Sequence, residues 1–110
     1  MIKVTIKTAN DQMIGFTYEG HADYADHGQD IVCAAVTAQL MMTYNGLESV
    51  LGIPLDLDMD PDGGYFSFEI KDQSKAVREK AQVLMETLKL GLDGILMQHE
   101  ENIKLIKEEV

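Results

Sequence analysis

A chain of 110 residues with 45% hydrophobic side chains has the size and composition of one globular domain, spanning residues 1–110, and not of a disordered segment. Nine Lys and Arg against nineteen Asp and Glu leave a net charge of -10, which disfavours direct contact with a nucleic-acid backbone and favours a basic protein partner. The single Cys excludes an internal disulfide and a multi-cysteine zinc site. No apolar run nears the ~18 residues of a membrane span, and Met1 opens straight into an alternating segment, so the expectation is a cytoplasmic protein with no membrane association.

Met1 to Thr8 alternates, with Ile2, Val4 and Ile6 on one face and Lys3, Thr5 and Lys7 on the other, which predicts a half-buried strand. Ala9 to Gln12 is a turn, and Met13 to Glu19 is a second strand with Ile14, Phe16 and Tyr18 alternating; the two should form a hairpin. Gly20 to Asp30 lacks apolar periodicity and carries two Gly, two His and three Asp, so it reads as a long loop of the kind that carries function. Ile31 to Leu51 is a helix, with Val32, Val36, Leu40, Thr43, Leu47 and Val50 or Leu51 as its stripe. Asp30 stands as its N-cap and Gly52 as its stop, with Pro54 beyond. Leu55 to Met59 and Tyr65 to Ile70 form a second hairpin around Pro61, Asp62, Gly63 and Gly64.

Asp72 or Ser74 caps a second helix running to about His99, its stripe being Val77, Ala81, Leu84, Leu88, Leu92 and Ile95. Gly91 and Gly94 mark a bend or close packing in it. Ile103 to Lys107 is a fifth strand. The order ββαββα with a C-terminal strand predicts an α+β fold of two layers: a mostly antiparallel sheet of four or five strands with two helices on one face.

Asp58, Asp60, Asp62, Gly63 and Glu69 match the calcium loop of an EF-hand letter for letter. Such a loop needs a helix on each side, whereas both flanks here alternate with period two and Pro61 falls inside it. A hairpin with acidic residues on its solvent face is the better reading.

Cys33 lies three residues after Asp30, in the first turn of the predicted helix. The partial positive charge of a helix N-terminus stabilises a thiolate, and the free N–H groups there can hold an oxyanion. Asp30 opposes the thiolate unless it is committed to capping the helix or holding a histidine. A thiolate nucleophile needs a base that later protonates the leaving amine. His21 follows the second strand directly and His27 sits mid-loop, and placement favours His21. Taken alone, a Cys near a helix start is more often a buried small residue, and a loop His is more often solvated. A metal site from His21, His27 and Cys33 matches no common zinc spacing, so neither metal nor cofactor is expected.

Gly20-His21-Ala22, followed by Gly28-Gln29-Asp30-Ile31-Val32-Cys33-Ala34-Ala35-Val36-Thr37, resembles the ribosomal-processing cysteine proteases called Prp, of Firmicutes and related bacteria. Asp62-Gly63-Gly64-Tyr65-Phe66 is similar to that family's second hairpin, and the likeness spans essentially the whole chain. The resemblance implies a small α+β homodimer that removes the N-terminal extension of the twenty-seventh large-subunit ribosomal protein, cutting after a Phe-Phe pair and before Ala. It puts the catalytic pair on Cys33 and His21 and the motif Asp on Asp30. The motif hydroxyl falls on Thr37, where Ser is commoner. His27 becomes a variable loop residue. Asp30 then caps the helix or orients His21, and Gly20 and Gly28 serve as loop hinges. The competing reading is a non-catalytic ribosome-associated module on the same fold, with Cys33 used only for packing.

Overall fold

The computed structural model describes residues 1–20, 27–72 and 74–110. Its elements run β1 (Ile2–Ala9), β2 (Gln12–Glu19), α1 (His27–Asn45), a π-helical turn (Gly46–Val50), β3 (Leu55–Met59), β4 (Tyr65–Ile70), α2 (Lys75–Gln98) and β5 (Ile103–Glu109). The five strands form one sheet in the order β3-β4-β2-β1-β5, antiparallel except for β5 beside β1. This is the expected α+β architecture. The closing strand is parallel because α2 carries the chain back along the sheet before β5 starts.

The β1–β2 hairpin turns at Asn10 and Asp11, whose φ values of 53° and 64° make the left-handed pair that a two-residue hairpin needs and that Asn and Asp tolerate. A bulge follows, since the pairing steps from Lys7↔Gly15 to Thr8↔Met13. Gln82 of α2 serves the backbone there. Its amide donates to the Met13 carbonyl at 2.7 Å and accepts from the Met13 N–H at 3.0 Å, which pins α2 to the start of β2.

The core lies between the sheet and the helices. Ile2, Val4, Ile6, Ile14, Phe16 and Tyr18 from the first hairpin meet Val32, Val36, Leu40 and Leu47 and the α2 residues Ala81, Leu88 and Leu92. Met85, absent from the predicted α2 stripe, is fully buried, whereas Val50 is exposed and Leu51 packs in its stead. The cause is the π-helical turn: Leu51 donates to Gly46 five residues back, which rotates the last residues off the α-helical stripe. Gly52, with φ 67°, ends the element as expected.

Ser74 is the N-cap of α2, its hydroxyl accepting from the Val77 N–H. Of the two helix glycines, Gly91 reflects close packing, since a Cβ there would lie 2.1 Å from the Gln39 side-chain oxygen; Gly94 faces open space.

The first helix departs from expectation at its start. It begins at His27, not Ile31, so Gly28 and Asp30 are helical by backbone and the predicted loop is four residues shorter. Asp30 is therefore not the N-cap; it is exposed in the first turn, where a carboxylate is favoured by the helix dipole. One glycine and one Asp do not break a helix that Val32, Val36 and Leu40 anchor to the core. Gly28, expected as a loop hinge, lies within α1.

Candidate active site

The site is built where α1 crosses the end of β2. Cys33 and Thr37 are one helical turn apart and share a face of α1. On β2, Ile14, Phe16 and Tyr18 point to the helix layer, so Tyr18 must direct its phenol towards that face of α1. The Tyr18 Oη lies 3.0 Å from the Cys33 Sγ. The Thr37 side chain is hydrogen-bonded to the same phenol. Burial pushes the Tyr18 phenol up to about 12, aided by the hydrogen bond and charge of Cys33 and opposed by the bond from Thr37. Cys33 is half-buried, packed against the core on one side.

Gly20, the first residue after β2, closes around this group. A Cβ on Gly20 would stand 2.4 Å from the Tyr18 Oη, so only glycine lets the backbone pass so near the hydroxyl. The Gly20 N–H donates to the Gly64 carbonyl at 2.9 Å, which ties the end of β2 to the β3–β4 loop. In that loop the Asp62 and Gly63 N–H groups donate to the Asp60 side chain and carbonyl, and Gly63 and Gly64 both have φ of 86°. The acidic segment that resembles a calcium loop is thus a β-hairpin turn with a strand on each side.

Beside Tyr18 opens a cleft of about 360 Å³, walled by Thr37 and Met41 of α1, Met59 of β3, Tyr65 and Phe66 of β4 and the loop residues Asp60, Pro61, Gly63 and Gly64. Met41 and Met59 are 47% and 53% exposed, so the walls are apolar and open, with Asp60 at the rim. The larger cavity, about 480 Å³, lies between α1 and α2 and includes none of Tyr18, Cys33 or Thr37.

Of the residues expected at the site, the structure brings Cys33, Thr37 and Gly20 together around the Tyr18 hydroxyl. Asp30 stands on the exposed first turn. His21 lies outside the described residues, and of His27 and Gly28 only the backbone is described. Cys33 is the seventh residue of α1 and not in its first turn, so its own N–H points along the helix to residue 29 in the i→i−4 ladder. The free N–H groups of the helix start belong to residues 27–30.

Tyr18 is the residue that sequence reasoning missed. Its signal was present: a hydroxyl on the core-facing side of a strand must find a partner, and the facing helix carries Cys33 and Thr37.

Residues 1–104 match the family model of cysteine protease Prp. The chain is 37% identical over 107 residues to the ribosomal processing cysteine protease Prp of Bacillus subtilis (strain 168), covering 96% of each chain. It is also similar to two crystal structures of an essential ribosomal processing protease Prp from S. aureus. In the complex with a substrate peptide the identity is 29%, the TM-score 0.85, and the match covers 98% of this chain and 100% of the other. In the complex with a covalently linked product peptide the identity is 31% and the TM-score 0.82, with the same coverage. With its thiol beside a cleft and a match of this extent, the chain belongs to the cysteine protease Prp family.

Proposed function

We propose that this chain is a cytoplasmic, single-domain cysteine endopeptidase that removes the N-terminal extension of the twenty-seventh large-subunit ribosomal protein, cutting after a Phe-Phe pair, a step that ribosome assembly needs. Cys33 is the nucleophile and His21 the base. The observation that carries this reading is the Tyr18 hydroxyl, which touches Cys33 on one side and Gly20, the residue preceding His21, on the other. The open apolar cleft beside them suits aromatic side chains, and the acidic rim and net charge of -10 suit a basic substrate.

The chemistry follows from the two groups. His21 takes the Cys33 proton, and the thiolate attacks the scissile carbonyl. The imidazolium then gives its proton to the leaving amine as the C–N bond breaks, leaving a thioester on Cys33. Water, deprotonated by His21, hydrolyses the thioester, and the sulfur leaves as thiolate. No cofactor or metal enters any step. Asp30 complements the start of α1, and Thr37 acts through Tyr18.

A peptide carrying Phe-Phe-Ala with basic flanks is the test, read by mass spectrometry. Wild type should cut after the Phe pair, and Cys33→Ser, nearly isosteric, should lose at least about 10³-fold in rate. No cutting of the peptide or the full-length ribosomal protein by folded wild type would favour a binding module on the same fold.

The protein should be a homodimer, as the family resemblance implies. Met42, Val50 and Val83, at 66%, 81% and 67% exposure, leave the helix layer with apolar surface to cover. Light scattering should give twice the chain's 12.3 kDa, and a monomeric mass at micromolar concentration would reject the dimer. Neither nucleic acid nor membrane is expected to bind. Among the described residues no helix is long and apolar enough to cross a membrane.

A further inference from the structure

The phenol of Tyr18 is an unusual neighbour for a nucleophilic sulfur, because it brings one proton and two lone pairs to a half-buried place. Its ring is part of the core and only 6% exposed, so the hydroxyl cannot swing away to solvent without moving the end of β2. Three groups surround the oxygen: the Cys33 Sγ at 3.0 Å, the Thr37 side chain, and the backbone of Gly20, which leaves no room for a Cβ.

A hydroxyl carries a proton of its own, so the Thr37 side chain, hydrogen-bonded to the phenol, can donate to the phenol oxygen. The single Tyr18 proton is then left for the sulfur. When Cys33 is ionised it has no proton to give, so Tyr18 must be the donor. The phenol, pushed up to about 12, keeps its proton at every pH at which a thiol protease works. Thr37 sits one turn from Cys33 on the same helix face, so Thr37, Tyr18 and Cys33 form a directed chain of hydroxyl, hydroxyl and sulfur.

We infer that Tyr18 holds the Cys33 thiolate: its hydroxyl, oriented by Thr37 and admitted by Gly20, donates to the sulfur and fixes its position. The inference rests on Cys33 being the nucleophile. Tyr18 thereby supplies the anion stabilisation that the free N–H groups of a helix start would have given had Cys33 lain in the first turn of α1. It also gives the motif hydroxyl at position 37 a task that Ser and Thr perform alike, since only an O–H pointed at the phenol is needed.

The protein's one cysteine makes the test direct, because alkylation by iodoacetamide reports Cys33 alone. Rates are measured against pH for wild type, Tyr18→Phe, Thr37→Val and Thr37→Ser, with peptide cleavage measured in parallel. Tyr18→Phe keeps the ring and removes the donor. Its alkylation profile should move to higher pH, with a rate near neutrality about tenfold below wild type, as expected for loss of one hydrogen bond to a charged acceptor. The two rates should converge at high pH, where both thiols are ionised. In cleavage, kcat should fall by a similar factor with KM little changed. Thr37→Val should move the profile the same way but less, and Thr37→Ser should restore it.

A Tyr18→Phe profile that overlays wild type overturns the inference, as does a shifted profile with unchanged kcat. If Tyr18→Phe does not fold, a Thr37→Val profile identical to wild type overturns it as well. Failure of the underlying reading looks different: Cys33→Ser would still cut the peptide, whatever the alkylation profiles show.

Discussion

His21→Ala should cut the Phe-Phe-Ala peptide about 10²–10⁴-fold more slowly than wild type, with KM little changed. In the proposed mechanism two proton movements depend on this imidazole. It removes the thiol proton, and it delivers a proton to the amine as the C–N bond breaks. Tyr18 can compensate for part of the first, because it stabilises the thiolate without a base. It cannot replace the second, because its phenol, raised to about 12 and committed to the sulfur, is too weak an acid to serve a leaving amine and regain its proton from water. A thiolate without His21 therefore attacks and reverts. The variant should still be alkylated at Cys33 at alkaline pH while failing to turn over, which separates loss of the base from loss of the nucleophile. His27→Ala is the control, since position 27 opens α1 and the family resemblance makes it variable. Equal losses in the two histidine variants, or a wild-type rate in His21→Ala, would reject His21 as the base.

How much of this was legible follows from where the information resides. The strand faces were readable because period-two alternation is local: Ile2, Val4, Ile6, Ile14 and Phe16 are all buried as read. The caps were readable where one residue decides them, as Ser74 and Gly52 do. The start of α1 was not, because Gly28 and Asp30 are poor helix formers and only the anchoring of Val32 and Val36 in the core carries the helix back to His27. The π-helical turn was equally hidden. It starts at Gly46, where a Cβ would stand 2.9 Å from the Leu84 side chain, and no local pattern carries that contact. At the site, the placing of the cysteine and the hydroxyl at position 37 on one helix face was legible in the motif. Tyr18 was not, because its role depends on β2 and α1 crossing, a tertiary fact. Gly20 also meets a steric requirement, set by a side chain two residues earlier, that the motif alone does not carry.

The largest effect on stability should come from Phe68→Ala. Phe68 is 1% exposed on β4, the strand that joins β2 to β3. Its ring centre lies 5.8 Å from Phe16 and 5.9 Å from both Tyr44 and Phe66, with edge-to-face geometry to the latter two. Truncation removes the burial of a whole ring, leaves a cavity among three others, and ends three aromatic contacts at once. A cost of about 3–5 kcal/mol is expected, against a total stability of about 5–15 kcal/mol for a domain of this size. The melting temperature should fall by roughly 15–20 °C, whereas Phe68→Leu, which fills most of the volume, should lose much less. The effect should reach the site as well. Phe66 lines the cleft, packs on Phe68 and pairs with Tyr18 across the β2–β4 ladder, so a slack β4 loosens the floor on which Tyr18 and Cys33 meet. Cleavage by Phe68→Ala, measured well below its melting temperature, should therefore be slower than the folded fraction alone would give. A melting temperature within about 5 °C of wild type would mean that the sheet and helices close the cavity, and that the aromatic cluster is not what holds β4 to the helix layer.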